Sequence, residues 1–191
     1  MFGGALAMIF GVLCVGSEYG WGTVKTILAQ RPSRSAVIGG KFAVLAIAMI
    51  TVVTSTFAID AGVIALVASS ESRAIDWPPF AEVAKGYGVG LLIVSMWGAI
   101  GAFLGTVLRG TPVGIGLGLV WALVVENLVR GLASLLAPIE ALQKILPGTN
   151  GGALVAALGA PVQSSEQGTP GVTDAVSGTH AASVMVGYVV L

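Results

Sequence analysis

Between Ala36 and Ala68 the chain runs for 33 residues with only two charges, Lys41 and Asp60. Nothing else in the sequence narrows the fold as much. The hydrocarbon layer of a bilayer is about 30 Å thick and is crossed by about 20 apolar residues in a helix. A run of this length exceeds one crossing, so its helix should tilt strongly or project from the membrane. The rest of the chain agrees: of 191 residues, 55% are hydrophobic and 9% charged. Soluble domains carry about 25% charged residues, and so few charges could not cover the surface of a soluble fold of this size.

Other runs follow the same rule. Residues 1–16 are apolar but slightly short of a crossing and read as the end of a span. Residues 87–108 and 113–129 each match a span, separated by the tight turn Arg109-Gly110-Thr111-Pro112, with Pro112 suited to the first turn of a helix. Residues 69–86 read as a loop, since Pro78-Pro79 bars a continuous helix and Trp77 and Phe80 suit an interface. Residues 131–146 are weakly amphipathic, interrupted by Pro138 and closed by Pro147. Residues 148–181 are rich in Gly, Ser, Thr and Pro and read as loop, apart from a short apolar piece at 152–160. A last apolar run opens at Ala182. The expectation is an all-α, polytopic transmembrane helical bundle. It forms one domain over 1–191, with three full spans and a partial span at each end, a fragment of a larger membrane protein or one with a mispredicted start.

Lys and Arg set the orientation. The stretch 17–41 and the turn at 109–112 hold Lys25, Arg31, Arg34, Lys41 and Arg109, five of the nine basic residues; the longer segments on the other side hold Arg73, Lys85, Arg130 and Lys144. The loop 17–35 is therefore expected in the cytoplasm and 130–181 outside, as an extracellular loop with short helices, in a multi-pass protein of the cell membrane. Zero formal net charge argues against a nucleic-acid partner. One cysteine, Cys14, and one histidine, His180, give no disulfide framework and no metal cluster.

Within 17–35, Ser17 can cap a helix whose first turn holds Glu18. That helix runs to about Gln30, with Trp21, Val24 and Leu28 on one stripe. Arg31-Pro32 ends it and Ser33 can cap the next helix. By itself this is either an interfacial helix that marks topology or a docking element for a cytoplasmic partner. The pattern Glu18-x-x-x-Gly22-Thr23, Leu28, Pro32-Ser33-Arg34 and Gly40-Lys41 leading into a span resembles the cytoplasmic loop of type-2 ABC transporter permeases. The resemblance is close over about 25 residues and looser, by hydropathy order, over the rest. It implies that the loop carries a coupling helix between the second and third of six spans. Glu18, Gly22, Thr23, Leu28, Arg31, Pro32, Arg34 and Lys41 would dock on a separate ATPase subunit or anchor the loop. It also implies a second permease copy or homologue, no cofactor bound by this chain, ATP used by the partner subunit, and export as the outcome. The P-loop pattern is missing: at Gly40-Lys41, Ser35 stands where the first Gly belongs and Phe42 follows the Lys.

Inside the oil, Asp60 lies 19 residues past Lys41, about 28 Å along a helix, which places it near the far interface. Glu126 and Arg130 are four apart and can pair on one helix face. Asp60 and this pair, with Asn127, form either interfacial anchors or a polar lining of a path. Gly98/Ala102, Gly101/Gly105 and Gly114/Gly118 are small-x-x-x-small pairs that let helices approach closely in lipid. Two further functions compete with a permease: an intramembrane enzyme using Asp60, Glu126 and His180, and a membrane anchor that does not transport.

Overall fold

The computed structural model describes residues 2–20, 33–75, 77–133, 135–164 and 168–190. Among them there are seven helices and no strand. These are α1 (Phe2–Gly20), α2 (Arg34–Ser70), α3 (Phe80–Leu108), α4 (Thr111–Ala133), α5 (Ala137–Gln143), α6 (Pro147–Ala156) and α7 (Gly178–Val190). α2, α3 and α4 are each long and apolar enough to cross a membrane. The chain is an integral membrane protein built as a helical bundle.

Its centre is the crossing of α1 and α3, where backbone meets backbone. A side chain at Gly11 would collide with the Gly98 carbonyl oxygen, and one at Gly101 with that of Met8. Lipid offers helices no hydrophobic drive to associate, so close approach through small residues supplies the dispersion contacts instead. Three unbranched side chains, Met8, Met96 and Met185, fill the remaining space and are fully buried; thioether chains suit irregular gaps of this kind. The small-residue pairs of α3 are used as their spacing predicts: Gly98, Gly101, Ala102 and Gly105 are all buried. On α4, Gly114 faces Val12 and Gly118 faces Met8.

α2 is attached differently. Its 37 residues span about 55 Å, and its buried core positions are Leu45, Met49 and Val53. They recur every four residues and form one stripe. Leu45 and Met49 meet Gly98, and Val53 meets Gly90. One turn on, Phe57 packs edge-on to Tyr87 with ring centroids 5.5 Å apart, and the Tyr87 hydroxyl shares a 2.8 Å hydrogen bond with Thr54. Most of the remaining large apolar side chains, Phe42, Ile47, Ile59 and Leu66 among them, are exposed, as a helix with lipid on most of its face requires.

The boundaries depart from the sequence expectation at α1, α3 and α6, and α7 begins at Gly178 rather than at Ala182. α1 continues through Ser17 to Gly20, so Ser17 caps nothing; its hydroxyl donates back to the Leu13 carbonyl at 2.6 Å. α3 begins at Phe80 rather than 87, because Pro79 supplies a ready extended entry (φ −53°, ψ 141°) to the first turn. Residues 147–156, expected mostly as loop, form α6, with Pro147 at its start. Ser33 does cap α2: its hydroxyl accepts from Ala36 N at 3.2 Å.

Gly101→Ala places a methyl group against the Met8 carbonyl and should cost about 2 kcal/mol or more, read as a lower melting temperature in detergent. Gly88→Ala, on the same helix with nothing within 4 Å of the new atom, should stay within about 0.5 kcal/mol of the parent.

Candidate functional site

Polar side chains gather at the two ends of the bundle. At the end where α1 leaves and α2 enters, Glu18 in the last turn of α1 meets Lys41 in the second turn of α2, with Nζ 2.6 Å from Oε2. Both side chains are about three-quarters shielded from solvent, 26% and 20% exposed, so the pair is less screened than a surface bridge. The Cys14 thiol, one turn before Glu18, points its sulfur at the Lys41 carbonyl at 3.7 Å. α1 and α2 are thus clamped together at the base of the segment that joins them. Of the loop residues singled out in the sequence, Glu18 and Lys41 form this clamp, and the backbone of Arg34 opens α2. Gly22, Thr23, Leu28, Arg31 and Pro32 lie outside the described residues.

At the opposite end, α5 and α6 form an elbow. Its tip, Leu146 and Pro147, is buried in the bundle. Three side chains hold the tip by its backbone carbonyls. Asn150 Nδ2 donates to Lys144 O at 2.9 Å and to Leu146 O at 2.8 Å. His180 Nε2 lies 3.1 Å from Lys144 O, and the Tyr188 hydroxyl donates to Ile145 O at 3.1 Å. His180 therefore sits in the first turn of α7, where its own N–H meets the Ser177 hydroxyl at 3.3 Å, not in an outer loop.

The fourth hold comes from α4. Residues Val120–Val125 of that helix are wound as a π-helix, and the Glu126 N–H reaches back to the Trp121 carbonyl. One residue of extra winding turns everything beyond it by about 100° relative to a regular helix. Glu126 is fully buried. Its Oε1 accepts from Gly148 N, in the first turn of α6, at 3.1 Å. A side chain at Gly148 would overlap Oε2 and have to push the carboxyl aside. Oε2 itself has no hydrogen-bond partner, and neither do Thr149 Oγ1 and Asn150 Oδ1, on two further fully buried residues; the Trp121 indole acts on the Glu126 carboxyl from further off.

The expected side-chain pair of Glu126 and Arg130 takes another form. Arg130 Nε donates to the Glu126 backbone carbonyl at 3.3 Å, and Nη2 donates to Asn127 Oδ1 at 3.2 Å. Asn127 is exposed and its Nδ2 donates to Leu123 O at 2.7 Å. Asp60 is exposed on α2. Among the described residues no three His, Cys, Asp or Glu side chains group as metal ligands. An apolar groove of about 990 Å³ joins the two ends. Cys14, Tyr19 and Lys41 line it on the clamp side, and Trp121, Pro147 and Tyr188 on the elbow side.

Sequence reasoning missed Gly148, Thr149, Asn150 and Tyr188. The available signal was Pro147, a preferred first residue of a helix, followed by Thr and Asn in an otherwise oily chain.

Residues 1–190 match the model of the family described as ABC-2 family transporter protein. No curated protein and no solved structure is found to match the chain.

The clamp is testable by a double-mutant cycle. Glu18→Gln and Lys41→Met should each lower the melting temperature, and the double variant should be no worse than the poorer single. The coupling should be about 1 kcal/mol. The exchanged pair Glu18→Lys with Lys41→Glu should recover part of it.

Proposed function

Because the chain belongs to the ABC-2 transporter family, we propose that it is the membrane permease of an ATP-driven exporter, with ATP bound and hydrolysed by a separate ATPase subunit. The observation that carries the reading is the clamp. The segment between α1 and α2 is the basic one, and its two ends are tied by Glu18 and Lys41 at 2.6 Å. A subunit that pushed on this segment would act on both helices as one body. The resemblance of Gly22-Thr23, Leu28 and Pro32-Ser33-Arg34 to a coupling loop supplies the docking surface. The uneven distribution of Lys and Arg supports a cytoplasmic position for that surface and an outer one for the elbow, in the cell membrane.

Two copies, or this chain and a homologue, would face each other across the substrate path. The apolar groove between clamp and elbow supports a path along these helices. Rigid-body movement driven from the clamp end would open and close it at the elbow end. The chain itself would make or break no bond.

The test is co-expression with an ABC ATPase subunit that co-purifies with the full chain. Gly22 replaced by Trp, and separately Glu18→Ala, should reduce ATP hydrolysis stimulated by the permease at least about tenfold, a loss of about 1.4 kcal/mol in coupling, with membrane insertion unchanged. Unchanged co-purification together with unchanged stimulated hydrolysis would remove the docking assignment. A cysteine in place of Lys25 should be reached by a membrane-impermeant thiol reagent only after the cells are opened.

A further inference from the structure

The buried carboxyl at the elbow has a chemistry that transport alone does not account for. Glu126 lies seven residues before the end of α4, about 10 Å along the helix, and is sealed from solvent. One backbone donor reaches it, Gly148 N on Oε1, and the Trp121 indole acts on the carboxyl from its own helix. Oε2 has none, and the next side chain of α6, Thr149, has an unpartnered hydroxyl of its own. An ionised carboxylate in a dry place needs several donors or a paired cation. Arg130, one turn on, spends Nε on the Glu126 main-chain carbonyl and Nη2 on Asn127. The remaining donors of the elbow are turned elsewhere: Asn150 N and Nδ2 go to Leu146 O, with Nδ2 also on Lys144 O, and the Tyr188 hydroxyl goes to Ile145 O.

We propose that the elbow is a proton-binding latch, in which the Glu126 carboxyl holds a proton on Oε2 while Gly148 seats on Oε1, and gives it up to water when the elbow withdraws. A neutral acid keeps the Gly148 hydrogen bond and removes the uncompensated charge. Once water reaches Oε2, the acid ionises, and the charged form resists being buried again. Among the described residues, the charged and titratable groups that act on Glu126 are Arg130 on its own helix and Tyr188 on α7; α6 carries no titratable side chain. The latch does not depend on the transport reading, because it is a property of the folded chain alone.

The experiment uses the full chain in detergent, as parent and as Glu126→Gln, which keeps the shape and the acceptor for Gly148 but cannot ionise. A folded state that binds one more proton than the unfolded state loses stability as pH rises. The parent should therefore lose about 3 °C or more in melting temperature, beyond any change in Glu126→Gln, between about pH 5 and about pH 9. Equal slopes for the two proteins, or a Glu126→Gln that melts below the parent at both pH values, would overturn the latch. Should Glu126→Gln fail to accumulate, labelling of the parent decides. Dicyclohexylcarbodiimide adds to protonated carboxyls in apolar surroundings, and mass spectrometry should find its adduct on Glu126 at about pH 5 and lose it at about pH 9. An adduct equal at both, or found at neither, would overturn it.

Discussion

Backbone-to-backbone contact between α1 and α3 is the condition on which the rest of the bundle stands. Gly11 against Gly98 and Gly101 against Met8 bring two helices closer than side chains would permit. In water such a contact would be a modest part of a hydrophobic core. In lipid, where tails compete equally for apolar side chains, it is one of the few ways for helices to prefer each other. α4 then packs on α1 and α3 through Gly114 and Gly118, and α7 reaches the core with Met185. α2 joins by a single stripe and leaves most of its surface to lipid. The order of attachment follows the distribution of small residues more than that of large ones.

This also explains what the sequence revealed and what it concealed. The spans, the turn at Arg109–Pro112, the Ser33 cap and the small-residue pairs follow from hydropathy, proline placement and spacing, which are local. The end of α1 was misread because Ser17 and Glu18 suit a helix start, while the surrounding helix simply continues through them. At the elbow the misreading was larger. Pro, Gly, Thr and Asn in water signal a loop, because each can satisfy its polar groups with solvent. Buried in a membrane bundle, the same segment draws its partners from inside, and a short helix entered through a turn whose carbonyls, those of Lys144, Ile145 and Leu146, are held by Asn150, His180 and Tyr188 is the solution found. Those partners are 36 and 43 residues away for His180 and Tyr188, beyond the range of any spacing argument. The π-wound segment was equally hidden, since Val120–Val125 is as good an α-helix sequence as its neighbours.

Of the candidate site residues, the charged pair that matters at the clamp was visible in the sequence as two separate positions, Glu18 and Lys41. Their mutual contact was not, because it depends on how far α1 runs before it ends. Glu126 and Arg130 were visible as neighbours, and the structure divides them. The carboxyl turns to α6, and the guanidinium meets the Glu126 main-chain carbonyl and Asn127. Spacing on one helix shows which groups could meet, while burial and winding decide which do.

The Glu18–Lys41 contact has a geometric consequence. Twenty-two residues separate the two in the chain, yet their side chains touch, so contact and chain together close a ring whose two anchor points sit side by side. One anchor belongs to α2, a single rod of 37 residues without a break. The ring and the rod together form a yoke with a long arm. A tilt of about 10° at the ring would sweep the far end of the arm, about 44 Å from Lys41 to Ser70, through about 8 Å, a distance comparable to the width of a helix.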